Sequence, residues 1–209
     1  MMTRRLPQEI YPVVDRALWI DRLGGAGARF IQLRVKDMNG DALREEIATA
    51  LASARRLGVT LVVNDFWRIA IETGADYVHL GQEDLDTADL GALRAAGVRL
   101  GVSTHSHEEL SRALALRPDY VALGPVWPTR LKKMAFGPQG VERIGEWRKL
   151  AGDVPLVAIG GVTLARMPEC LAAGADSVAA VSDFVLADDP EGQVQAWLQA
   201  AKGAQFPSA

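Results

Sequence analysis

The sequence predicts an α/β chain folded as one closed (β/α)8 barrel, and three observations carry that expectation. Short runs rich in Val, Ile and Leu alternate with amphipathic segments along the whole chain. Eight such strand-then-helix units fit in 209 residues, a length at which an α/β barrel can close as a single domain. Glycine or proline turns precede the runs, most clearly in GADYVHLG and GADSVAAVS. A doubly wound open sheet is the runner-up. Such a sheet more often carries a Gly-rich nucleotide loop after its first strand, and YPVVDRALW is not one.

The elements follow in order. YPVVD (11–15) leads to a helical segment at 16–23. FIQLRVK (30–36) leads to DALREEIATALASARRLG, where Leu43, Ile47, Ala50, Leu51, Ala54 and Leu57 form one apolar helix face. Arg44, Glu45, Arg55 and Arg56 are available for the wet face, with Asp41 expected as N-cap and Gly58 as stop. TLVVND (60–65) leads to a helix at 66–73, YVHLG (77–81) to one at 88–96, and RLGVST (99–104) to one at 107–116. YVALGPVW (120–127) leads, through the aperiodic stretch WPTRLKKMAFGPQG, to a helix at 140–150. PLVAIGG (155–161) and SVAAVS (177–182) lead to helices at 163–173 and 190–201. Runs this short and this apolar suit parallel strands buried on both faces. The expected domain is 1–209, with a barrel core over about 10–202 and short tails.

Composition narrows the function. A formal net charge of −3 argues against a general nucleic-acid or anionic-membrane binder. The lone Cys170 excludes an intrachain disulfide and a cysteine metal cluster, and reads as a small buried helix residue. The N-terminus has arginines but no apolar h-region, and no run reaches the length of a membrane span, so the expected compartment is the cytoplasm. The five tryptophans are scattered and read as packing residues rather than a base-stacking stripe.

Barrel enzymes build their sites at the C-terminal ends of the strands. Those ends hold Asp15; Gln32, Arg34 and Lys36; Asn64 and Asp65; His79, Gln82 and Asp84; Ser103, Thr104 and His105; Thr129, Arg130 and Lys132; Gly160 and Gly161; Ser182 and Asp183. In QLRVK the period of two sends Gln32, Arg34 and Lys36 to one side and Leu33 and Val35 to the other. On the lumen side those three form either an internal salt-bridge plug or an anion clamp, Arg as a bidentate fork and Lys as a mobile charge suited to pyrophosphate. Asp65 and Asp84 stand at neighbouring strand ends. Each could cap a helix; together, beside a cationic strand, they are expected to hold Mg2+. AIGG and AVS look like a phosphate cradle of glycines and backbone N–H groups. The stretch 127–140 is long enough to be a lid. His105 and His107 read as capping or exposed residues rather than metal ligands.

IYPVVD, IQLRVKD, VNDFWRIAI, VHLGQEDL, LGVSTH, YVALGPVWPT, VAIGGV and AAVS, in that order and with compatible gaps, resemble the thiamine-phosphate synthase family from about Tyr11 to Asp183. The resemblance implies a (β/α)8 barrel that joins 4-amino-2-methyl-5-hydroxymethylpyrimidine diphosphate to a thiazole phosphate and releases pyrophosphate. The carbon–oxygen bond breaks first, and the thiazole nitrogen captures the resulting pyrimidine cation. By the same resemblance Asp65 and Asp84 are Mg2+ ligands. Gln32, Arg34, Lys36, Asn64, Ser103 and Lys132 bind the pyrimidine diphosphate. Arg34, Lys36, Lys132 and Ser103 serve catalysis. Thr129, Gly161, Val181 and Ser182 hold the thiazole phosphate. A homo-oligomer is compatible with the sequence. The family's lid reads Pro-Thr-x-Thr-Lys, whereas here Leu131 stands between Arg130 and Lys132. The missing hydroxyl is expected to cost about 1 kcal/mol of thiazole-side binding, with Arg130 a candidate replacement. Two other readings stay open here, a thiazole tautomerase with His105 near the base position and a non-catalytic thiamine-phosphate binder.

Overall fold

Eight parallel strands close on themselves in sequence order, β1 (Ile10–Val14), β2 (Phe30–Leu33), β3 (Thr60–Asn64), β4 (Tyr77–Leu80), β5 (Arg99–Thr104), β6 (Tyr120–Leu123), β7 (Leu156–Ile159) and β8 (Ser177–Ala180), with β8 pairing back onto β1. The computed structural model describes residues 5–129 and 137–204. The helices between strands are α1 (Leu18–Gly25), α2 (Gly40–Leu57), α3 (Trp67–Thr73), α4 (Leu90–Ala95), α5 (His107–Ala115), α6 (Glu142–Ala151) and α7 (Met167–Ala172). After β8 come a four-residue helix α8 (Ser182–Val185) and the closing α9 (Pro190–Gly203).

Each strand alternates between two apolar environments, as parallel barrel strands must. The outward residues, such as Ile31, Leu33, Val63, Val78, Val102 and Val121, pack against the helices. The inward residues Tyr11, Val13, Phe30, Val62, Tyr77, Tyr120, Ala122, Val157 and Ala179 form a separate core inside the barrel. Aromatic rings dominate that inner core. Tyr11 and Phe30 stack with centroids 4.0 Å apart, and Tyr120 meets both edge-on at 6.0 Å. Rings of this size fill the barrel below the strand ends, leaving the mouth above them for polar side chains.

Local signals account for most helix boundaries. Gly58 ends α2 in the left-handed conformation at φ 66°, as expected of a glycine stop. Gly74 ends α3 in the same way at φ 67°. One expectation is corrected: α2 begins at Gly40 behind Asn39, so Asp41 lies in its first turn and does not cap it. Asp41 still faces the positive end of the helix dipole there. Cys170 is fully buried, and Trp147 and Trp197 are core residues.

Candidate active site

The two acids singled out from the sequence are not helix caps. Asp65 follows β3, but α3 is capped by Phe66 with no side-chain bond, and the Asp65 carboxylate pairs instead with the Lys36 ammonium from the end of β2. Asp65 adopts φ 66°, a left-handed conformation that disfavours side chains other than Asn, Asp and Gly. Its N–H still reaches the His79 carbonyl at 2.9 Å, so the ladder with β4 continues while the turn re-aims the carboxylate. Asp84 opens a short 3-10 turn after β4, and its Oδ2 accepts from Gly81 N–H at 3.1 Å. The cap of α4 is Asp89, which accepts from Ala92 N–H. Neither carboxylate is spent on capping α3 or α4, and both stand at the strand-end mouth.

Partial burial, and then the facing Asp65 carboxylate, push the Asp84 carboxyl up from its ordinary range. Two carboxylates held this close repel unless a cation lies between them. The oxygen-only donor set suits a hard divalent ion that keeps several waters, and Mg2+ fits it. Among the described residues no cluster of three or more His, Cys, Asp or Glu side chains offers an alternative cage.

The cationic strand divides as its period requires. Gln32 is buried in the lumen, Arg34 is half-buried, Lys36 is exposed at the rim, and Leu33 and Val35 lie in the outer core. Lys36 pairs with Asp65, but Arg34 joins no salt-bridge plug: its guanidinium has no hydrogen bond or ion pair among the described residues. A half-buried guanidinium without a carboxylate is an anion site in waiting.

Below these groups runs a chain of polar side chains that sequence reasoning did not assemble. Gln32 Nε2 donates to Tyr11 Oη at 2.9 Å, and Tyr11 Oη lies 2.8 Å from Tyr120 Oη. Tyr120 Oη lies 2.8 Å from His79 Nδ1, and His79 Nε2 lies 2.8 Å from Ser103 Oγ. Burial pushes the His79 imidazole down to about 4, so the ring is neutral at physiological pH. Burial likewise raises both tyrosines far enough that they keep their protons. Gln82 Nε2 holds the Ser103 carbonyl at 2.7 Å. Asn64 is buried in register with His79 on the neighbouring strand. Thus Gln32, Asn64, His79 and Ser103 converge on the lumen just below Arg34, Lys36, Asp65 and Asp84.

On the far side, Gly160 and Gly161 have positive φ of 96° and 66°. A Cβ at Gly160 would sit 2.6 Å from Pro125, and one at Gly161 2.7 Å from the Pro128 carbonyl. The pair therefore serves first to let the segment after β6, which carries Thr129, pack across the end of β7. Val181 is the N-cap of α8 and Ser182 its first residue. Asp183, which sequence reasoning assigned no role, ties this corner together: its Oδ2 accepts from Leu164 N–H, Gln193 Nε2 and Trp197 Nε1 at 2.7–3.0 Å. His105 and His107 sit at the start of α5 and pair with Glu109 and Glu146. Arg130, Leu131 and Lys132 lie outside the described residues.

Fold and site together define a (β/α)8 barrel whose C-terminal mouth combines cations, a carboxylate pair and a glycine-lined corner. Comparison with known proteins gives the family. The chain matches the thiamine monophosphate synthase family over residues 8–184. It is 53% identical over 190 residues to a thiamine-phosphate synthase of Rhizobium etli, covering 91% of this chain and 93% of that one. It is 50% identical over 180 residues to the Escherichia coli O9:H4 thiamine-phosphate synthase, covering 86% and 85%. A thiamine phosphate pyrophosphorylase structure from Pyrococcus furiosus superposes with a TM-score of 0.83 at 25% identity, covering 94% of this chain and 96% of that one. A 3-hexulose-6-phosphate synthase structure, at TM-score 0.66 and 19% identity, shares the fold alone. The chain belongs to the thiamine monophosphate synthase family, and with it to the transferases of thiamine biosynthesis.

Proposed function

We propose that the barrel mouth joins a 4-amino-2-methyl-5-hydroxymethylpyrimidine diphosphate to a thiazole phosphate, giving thiamine phosphate and pyrophosphate. The observation that carries this reading is the juxtaposition of Asp65 and Asp84, neither used as a cap, beside an Arg34 guanidinium with no hydrogen bond or ion pair among the described residues. Gln32, Asn64 and Ser103 line the lumen where the pyrimidine would sit. Arg34 and Lys36, with Lys132 from the segment outside the described residues, would bind the diphosphate.

The bond from the pyrimidine methylene carbon to the diphosphate oxygen breaks, and the electron pair leaves with pyrophosphate. Arg34 and Lys36 face that growing negative charge, where fixed cations accelerate the step most. The ring-stabilised cation is captured by the thiazole nitrogen, whose lone pair forms the new carbon–nitrogen bond. Gly161, Val181 and Ser182 would hold the thiazole phosphate, and Thr129 the thiazole itself, so that nitrogen and carbon meet. The described residues offer no side chain that must act as nucleophile. Asp65 and Asp84 would hold Mg2+, which would supply Lewis-acid neutralisation of the departing pyrophosphate.

The tautomerase reading gains nothing from the site, because a metal-free isomerisation gives the carboxylate pair no task. The non-catalytic reading rests on Leu131, which lies outside the described residues. The reading adopted here places the enzyme in the cytoplasm as one barrel domain. No described helix is long and apolar enough to cross a membrane. Growth rescue of a thiamine-requiring strain lacking its own synthase tests it: the chain should restore growth, and Asp65→Ala should not. No rescue by soluble, folded protein would overturn the reading.

A further inference from the structure

The five side chains Gln32, Tyr11, Tyr120, His79 and Ser103 come from β2, β1, β6, β4 and β5, so the chain of hydrogen bonds crosses the barrel from one wall to the other. Its protons can be counted. Gln32 Nε2 donates to Tyr11 Oη. The Tyr11 proton then has one acceptor within reach, Tyr120 Oη. Tyr120 must donate onward to His79 Nδ1. His79 therefore carries its single proton on Nε2 and gives it to Ser103 Oγ. A doubly protonated ring would drive Tyr120 to donate back to Tyr11, leaving the buried Tyr11 proton without an acceptor, which is costly.

The two ends of the chain face the mouth. Gln32 Oε1 has no hydrogen-bond partner among the described residues, yet it is not sealed off, since the one buried side-chain polar atom there without a partner is Ser177 Oγ. It presents an acceptor. The Ser103 hydroxyl, having accepted from His79, presents its own proton. Running the chain backwards also satisfies every group, but only if the Gln32 amide turns over. Gln32 then donates and Ser103 accepts. In either direction the two ends carry opposite polarity.

We infer that this Gln32–Tyr11–Tyr120–His79–Ser103 relay couples the two substrate-facing ends and, with the Gln32 amide donating to Tyr11, sets an acceptor at Gln32 and a donor at Ser103, making Tyr11, Tyr120 and His79 positioning residues that select a ring with an amino donor on one edge and a ring-nitrogen acceptor on another. The inference rests on the reading of Gln32 and Ser103 as pyrimidine contacts. With the Gln32 amide donating to Tyr11, an oxo-pyrimidine, with a carbonyl and ring N–H in those places, meets the wrong polarity at both ends at once, and to fit it the amide must turn over. Reversing one end requires reversing all five groups, which is the discrimination that buried polar groups supply best.

Long-range 15N–1H NMR of histidine-labelled protein, with the His79 signals assigned by their absence from His79→Gln, reads the tautomer directly among the three histidines. The relay requires the neutral Nε2–H form in the free enzyme. A neutral Nδ1–H form, or a cation at neutral pH, would overturn the inference. Tyr120→Phe cuts the relay at its centre. It should lower kcat/KM for the pyrimidine diphosphate by about tenfold or more, the scale of one buried hydrogen bond, leave KM for the thiazole phosphate unchanged, and release His79 to mixed tautomers. Unchanged kcat/KM in folded Tyr120→Phe, with Ser103→Ala impaired, would overturn the relay alone. A fully active Ser103→Ala would overturn the underlying reading of Ser103, and the relay's role with it.

Discussion

Tyr120 occupies the space that Gly101 leaves open on the adjacent strand. The two are paired in register between β5 and β6, and a Cβ at Gly101 would lie 2.1–2.4 Å from two ring carbons and the hydroxyl oxygen of Tyr120. Gly101→Ala is therefore expected to push Tyr120 out of line with Tyr11 and His79. The cost should be about 1–3 kcal/mol of stability, the usual price of overpacking a filled core. Urea unfolding measures it, and the same variant should lose turnover at temperatures where it remains folded.

Asp65 at φ 66° predicts an ordering among its own variants. Asp65→Gly should be more stable than Asp65→Ala by about 1 kcal/mol, because glycine alone is unstrained there. Both should lack activity, since neither has a carboxylate. Equal stability of the two would show that the turn relaxes on substitution.

The raised Asp84 carboxyl gives a metal-linked prediction with a definite sign. Its folded form favours the proton, so stability is greatest below the ordinary carboxylate range and falls as pH rises through the raised value. At neutral pH without metal, Asp84→Asn should melt above the wild-type protein. Mg2+ at about ten times its Kd should add about 1.4 kcal/mol to the wild type by mass action and little to the variant. A thermal scan with and without Mg2+ checks both signs.

His79 titrates in the opposite sense. Its pKa is lowered to about 4 in the folded protein from an ordinary 6.5, so the stability it contributes is complete above pH 6.5 and is lost as pH falls toward 4. The loss amounts to about 3 kcal/mol across that window. The difference in unfolding free energy between wild type and His79→Gln should show this slope, because the glutamine does not titrate.

The barrel was legible because its signals are local. Continuous apolar runs, glycine stops such as Gly58 and Gly74, and the period of two in QLRVK each depend on a few neighbouring residues. The strand-end rule then carried Gln32, Arg34, Asp65, Asp84 and Ser103 to one face. What could not be read is pairing across the lumen. Tyr11 and Tyr120 are 109 residues apart, and nothing near either tyrosine announces the other. Their inward phase was available, since Tyr11, Gln32, His79, Gly101, Ser103 and Tyr120 all fall on lumen positions, but register and ring orientation were not. The same holds for Lys36 and Asp65, and for Asp183, whose three donors come from the loop after β7 and from α9. The N-cap of α2 was misplaced by local ambiguity, with Asn39 and Asp41 both suited to a helix start.

The central claim is that this mouth couples a pyrimidine diphosphate to a thiazole phosphate by pyrophosphate departure. The direct measurement is the stoichiometry of products from purified protein, the two substrates and Mg2+, compared between wild type and Arg34→Ala. Thiamine phosphate and pyrophosphate should appear in equal amounts with wild type. Arg34→Ala, which removes a guanidinium without a partner among the described residues, should lower kcat by about a hundredfold or more, as loss of a charge-stabilising donor does. No thiamine phosphate from folded wild-type protein, or full activity in Arg34→Ala, would contradict the account.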